Sequence, residues 1–319
     1  MNPFDKLWQG LQRKKAQREG LERTIEDIVD IADPTIRRAS HYQRTLRQAV
    51  MDASSYCSDI IGIVPGPVRL SKESYGNEPV IHALFTKAED VELLIKNSPD
   101  VEELRRTGFQ GDAVGLLTMD KEEKTVFGHE KHGEMIQRDV AQRTVNFSGH
   151  RIVAPCPDLE QARQGVIHRG LEVLATVAME KITNLRTEIS ELRQKRDYLG
   201  GYIQILNGRS KLHSRFAVPD PEMQEELEKA KTSKAEVEAE LQGRLEDLSY
   251  PKDSLRHLKE IMQQPSHTLT MGTTSLRLNW MNVLLDAKSE EGFETITLAE
   301  MSLSQGLHRY GTFVVLPVR

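Results

Sequence analysis

His129-Glu130-Lys131-His132-Gly133-Glu134 is the densest gathering of metal-ligating residue types in the chain. A zinc site of the HExxH kind needs two imidazoles at i and i+4 on one helix face, so that both aim at one ion. Here the histidines are three apart and the segment reads as a hairpin turn. Alternation along a strand turns such groups away from each other, so the cluster is expected to be solvated and metal-free. The two cysteines, Cys57 and Cys156, form no CxxC pair, which argues against a zinc ribbon or a disulfide framework. Cys57 follows Tyr56 on an apolar helical seam with no assignable base beside it, so it reads as a buried structural thiol. A P-loop, a GxGxxG loop and a GxSxG elbow are all absent. The residues therefore imply no catalytic group and no cofactor, and the reading is non-enzymatic.

Two clusters carry binding chemistry instead. Arg209, Lys211 and Arg215 put three positive charges into seven residues, with His213 and Phe216 beside them. No acidic residue lies between Asn207 and Ala217. A basic tip with an aromatic group suits an acidic protein surface, and also a phosphate or nucleic-acid backbone. The second cluster is N-terminal. Phe4, Leu7, Trp8 and Leu11 fall within about 100° of one another on a helical wheel. Lys6, Arg13, Lys14, Lys15 and Arg18 make residues 1–20 net +3 in a chain of net −5. Such a helix could rest on an anionic membrane, with Phe4, Leu7, Trp8 and Leu11 down and Lys14 and Lys15 near the headgroups. Its apolar length is only about two turns, so the contact would be reversible. The competing reading packs Trp8 and its neighbours onto the protein's own helices.

The elements that position these clusters follow from periodicity. Residues 1–110 read as a helical region: Asn2-Pro3 starts one helix, Asp33-Pro34 a second, and VPGPVRL ends the second at Val64–Leu70. Short helices are expected near Val80–Phe85, Ala88–Leu94 and Val101–Arg106. From Asp112 the period turns to strand, in AVGLLTM, KTVFGHE, EMIQRDV and RTVNFSGHRIVA, joined by short polar connectors that imply antiparallel pairing. This makes 111–157 the first half of a β domain.

Residues 158–264 hold the clearest pattern. Ala178, Ile182, Leu185, Ile189, Leu192, Arg196, Leu199, Ile203 and Leu206 are spaced alternately four and three apart, a coiled-coil seam about 43 Å long. Arg196 interrupts it and is expected to meet a carboxylate of the second arm within Glu225–Glu240. A break is expected from Asn207 to Pro221. Met223, Leu227, Ala230, Lys234, Val237, Leu241 and Leu248 then continue the pattern. Two helices joined by one break most simply fold back as an antiparallel hairpin. A parallel dimer is the rival, and self-association stays open. After Pro265, TLTMGTTSLRLNW, MNVLLDA, ETITLAEMSL and YGTFVVLPV read as strands, so 265–319 is the second half of the β domain. The expected fold class is α+β: a helical N-terminal region, an antiparallel β domain, and a long antiparallel coiled-coil hairpin inserted between two β blocks.

Composition agrees with this plan. Hydrophobic residues are 38% and charged residues 29% of the 319, the shift expected when long helices each bury one seam. There is no run of about 18 apolar residues and no apolar core of a secretory signal near the start. A cytoplasmic protein is expected that presents a coiled-coil arm to a protein partner, with a place at the inner face of a membrane if the N-terminal helix binds lipid. Membrane attachment and nucleic-acid binding at the tip are the alternatives. No motif names a family.

Overall fold

The structure, a computed structural model, describes residues 3–132, 135–216, 221–285 and 292–318; the side chains of 3–17, 128–132, 135–139 and 213–216 lie outside the described set. The fold is α+β, with long helices and a mainly antiparallel sheet. The chain divides into two compact units, Met1–Ala49 with Ala175–Met262, and Val50–Leu174 with Gln263–Arg319.

The first unit is helical. It contains α1 (Pro3–Ala32), the start of α2 (Tyr42–Gly62), the greater part of α6 (Leu159–Phe216), α7 (Pro221–Asp247) and α8 (Pro251–Gln263). Asp33-Pro34 opens only a 3-10 turn, Pro34–Arg38, rather than the expected second helix, which begins at Tyr42. Asp33 caps that turn, accepting from Thr35 N at 3.0 Å and Thr35 Oγ1 at 2.8 Å. The same carboxylate meets Arg186 of α6 and a hydrogen bond from Ser254 of α8. α8 starts with Pro251 at its first position. Asp253 accepts from the Ser249 and Tyr250 N–H groups at 3.1 and 2.8 Å, satisfying donors a helix start leaves open.

The seam positions on α6 are all buried or half-buried, from Ala178 to Leu206, while the residues between them are mostly exposed. On α7, Met223, Leu227, Ala230, Lys234, Val237, Leu241 and, after its end, Leu248 show the same pattern. Ile182 and Ile189 share an apolar cluster with Leu241 and Leu248, flanked by Leu185, Leu192 and Leu245. Glu188 pairs with Arg244 at 3.1 Å, and Tyr202 donates to Glu226. Contacts thus rise along α6 as they fall along α7. Two expectations are corrected here. Arg196 bonds its neighbour Asp197, at 2.9 and 2.7 Å, and not the second arm, because its head reaches solvent at the seam's edge. The break expected at Asn207 is absent: α6 runs on to Phe216. One glycine costs a helix about 1 kcal/mol, too little to end one whose other residues are mostly helix-compatible.

The second unit is built on a sheet formed by β2 (Gly111–His132), β3 (Met135–Cys156), β4 (Leu269–Leu278), β5 (Glu294–Leu303) and β6 (His308–Val318) in the order β3-β2-β6-β5-β4, with β1 (Val68–Arg69) added in parallel to β6. The strands before and after the long helices therefore share one sheet, because β2 (Gly111–His132) pairs with β6 from Gly111↔Val318 to Met119↔Tyr310. β4 (Leu269–Leu278) and β5 (Glu294–Leu303) complete it. Instead of four short strands, β2 and β3 (Met135–Cys156) are 22 residues each. The polar connector Asp120–Glu123 stays in the ladder, opposite Val145–Ser148. Beyond Met119 only β3 pairs with β2, so side chains such as Glu122 and Lys124 face water there, and their charge pair (3.0 Å) suits them to a strand. The described part of MNVLLDA, residues 281–285, forms no strand: Val283 and Leu284 make only isolated bridges. The core joins β2, β5 and β6 residues such as Leu117, Leu298 and Val314 to Ile81 of α3 (Pro79–Leu84), Val91 of α4 (Ala88–Asn97) and Val101 of α5 (Pro99–Arg106).

Candidate functional site

The end of α6 gathers the surface with the most binding chemistry. Arg209 and Lys211 lie on its last turns, exposed, rather than on a loop. Three more of the expected partner-binding residues, His213, Arg215 and Phe216, have side chains outside the described set. The helix places a second feature that the sequence reading passed over. Tyr198, Tyr202, Ile205, Arg209 and Leu212 repeat the four-three spacing one position ahead of the seam, rotated about 100° from it. Tyr198 is 71%, Ile205 55% and Leu212 61% exposed. The rings of Tyr198 and Tyr202 lie parallel, within 3°, with centroids 6.4 Å apart. Tyr202 donates to Glu226 of α7, which pushes its phenol above the ordinary tyrosine range. The signal was legible: upstream on the same stripe stand Lys181, Asn184, Glu188, Glu191 and Lys195, all polar. Only the distal stretch carries large apolar or aromatic side chains, with Arg209 among them.

The other sequence candidates fare differently. Phe4, Leu7, Trp8, Leu11, Lys14 and Lys15 lie on the backbone of α1, with side chains outside the described set. The same holds for His129, Glu130 and His132 in β2, and residues 133–134 are not described. Among the described residues no cluster of three or more His, Cys, Asp or Glu could hold a metal ion, and no helix is long and apolar enough to cross a membrane.

Two recesses in the second unit hold titratable side chains. One, of about 200 Å³, is walled by Cys57, Ile60, Leu116, Val166, Val173 and Met271 among others. Burial pushes the Cys57 thiol up to about 11, so it stays protonated and is no nucleophile at neutral pH. Arg169 and Arg309 also line this recess, but each is paired, with Glu172 at 2.9 Å and Asp120 at 2.7 Å. The site suits only small apolar matter. The other, of about 390 Å³, is lined by Asp90, Ser98 and His150. His150 stacks on Phe85 at 4.4 Å and its Nε2–H donates to Leu84 O at 2.8 Å. Burial holds its pKa below the ordinary histidine value, against the pull of that carbonyl. No hydrogen bond joins Asp90, Ser98 and His150, so they form no proton relay.

No protein-family model, curated protein or solved structure matches the chain.

Proposed function

We propose that this is a non-enzymatic interaction protein whose α6 and α7 form an antiparallel coiled-coil hairpin, an arm that offers its basic end to an acidic protein surface. One observation carries the reading: both helices bury or half-bury the residues of a four-three seam and leave most of the others exposed, with Arg209 and Lys211 near the end of α6. A helix from 175 to 216 is roughly 60 Å long, and a seam of this kind sets distance while leaving the outer faces for recognition.

Two measurements test it. Cysteines placed at Ile189 and Leu241 should be joined within one chain by a short thiol cross-linker; failure to join them removes the hairpin. Charge reversal in Arg209→Glu with Lys211→Glu should abolish capture of a protein partner while far-ultraviolet dichroism is unchanged. Tyrosines stacked beside two cations also suit single-stranded nucleic acid. If binding follows nucleic acid, weakens steeply with salt and survives removal of protein partners, that second reading replaces the first. Membrane attachment through Phe4, Leu7, Trp8 and Leu11 predicts co-sedimentation with anionic vesicles that Trp8→Glu removes.

A further inference from the structure

We infer that a third recess of the second unit binds a primary ammonium group, carried by a small amine or by a lysine side chain of a peptide. The site is separate from the α6–α7 arm and goes beyond the reading above. The recess holds about 460 Å³, within the range of ligand pockets. Its walls come from the 3-10 turn Glu73–Gly76, α3 and the paired ends of β4 and β5. Asn77, Glu78, His82, Trp280, Phe293 and Glu294 give it its chemistry.

The aromatic side is held rigid. Trp280 lies in a tight turn, in which the Asn282 N–H donates to Asn279 O at 3.0 Å. The Asn279 side-chain oxygen accepts from the Met281 and Val283 N–H groups at 2.9 and 3.0 Å. Asn282 ties the turn to α3 by donating to Ala83 O at 2.8 Å. Yet the indole that this turn carries is 77% exposed. The turn therefore displays a ring that the core does not use, and a ring already in place loses little freedom when a ligand covers it.

The acidic side selects the ligand. Glu78 stands at the N-cap of α3, but its side chain caps nothing. It is half-buried and, among the described residues, pairs with no base. No lysine or arginine lines the recess among the described residues. Arg277 stands beside it, with its guanidinium 3.9 Å from the Phe293 ring centroid. With Arg277 counted, Glu78 and Glu294 still outnumber the base. That stack also occupies Phe293 with a cation and leaves open Trp280, the ring type that attracts cations most strongly. A ligand that covers Glu78 strips water from it and must return a hydrogen bond. A charged N–H donor does so roughly twice as strongly as a neutral hydroxyl. Phosphate and nucleic acid would meet like charge. Among the described residues no three acidic or histidine groups converge to hold a metal ion. The cation that fits is therefore organic, with methylenes to lie on the indole.

Fluorescence of Trp8→Phe, in which Trp280 is the only tryptophan, tests this in the full chain. Butylammonium chloride and the end-capped peptide Ala-Lys-Ala, each titrated at constant ionic strength, should change the emission saturably, at about millimolar concentration or below. The same peptide with norleucine for lysine, glucose and inorganic phosphate should not. Glu78→Gln should weaken binding about tenfold at an unchanged melting temperature, because its side chain bonds nothing in the fold. Trp280→Ala, followed by calorimetry, should abolish it. Tighter binding of the peptide assigns the site to a protein's lysine, and equal or tighter binding of butylammonium assigns it to a free amine. The proposal is overturned by no saturable change with either probe. It is equally overturned by binding that survives either substitution, or by an equal response to the norleucine peptide, glucose or phosphate.

Discussion

Asp33 shows how one side chain holds the helical unit together. Its carboxylate, almost wholly buried, faces Thr35, Ser254 and Arg186, which belong to three separate segments. Burial alone would raise its pKa; the hydrogen bonds from Ser254 and Thr35 and the Arg186 charge outweigh that and hold it below the ordinary carboxylate value. A depressed acid contributes stability above its unfolded pKa and loses it as pH falls through the folded one. Asp33→Ala should therefore cost about 2 kcal/mol at neutral pH, read from the urea midpoint, and the cost should shrink in acid. His150 acts in the same direction by a different route. It is kept neutral by burial, so its contribution is complete above about pH 6.5 and fades as pH drops below that. His150→Gln should flatten the acid side of the stability profile of the sheet unit. Cys57, pushed up to about 11, should resist alkylation in native protein at neutral pH; rapid labelling at that position would contradict the packing described.

At the scale of elements, what could be read in advance depended on how local the cause is. The three short helices α3 to α5 were visible because Pro79 and Pro99 fix their starts and acidic residues fill the first turns of α4 and α5. The seam of α6 was visible because its spacing persists over many turns. β1 was not: two residues cannot show a period, and its register comes from β6, with Leu70 N bonding Val315 O at 2.7 Å. The segment before it depends on Gly66, whose φ is +105° and whose added Cβ would strike the Phe313 carbonyl. Gly66→Ala should destabilise the sheet unit by about 2 kcal/mol or more, seen as a lower melting temperature. The long β2–β3 ribbon was misread because polar residues in a two-stranded ladder look like turns when the partner strand is unknown. The distal stripe of α6 was overlooked for a related reason: a strong seam masks a weaker one a single position away. On α7, Leu241→Asp should put a charge in the cluster with Ile182 and Ile189, and helicity should fall as that cluster loosens.

At the scale of the whole chain, each compact unit draws on two stretches that are far apart in sequence. A fragment such as 50–174 lacks β4, β5 and β6, and should be insoluble or unfolded when expressed alone; a soluble fragment with native strand content would refute the topology. The place of β6 sharpens the point. It sits between β2 and β5 and also receives β1, so three strands are bonded to a segment that comes last among them. On the ribosome, β2 emerges early and its free edge then waits while nearly 190 more residues are added, on the order of 10–40 s at usual elongation rates. Throughout that interval the nascent chain carries a bare ladder of amide donors and carbonyl acceptors, and crowded polysomes or a slowed ribosome would raise the hazard of one chain pairing with its neighbour.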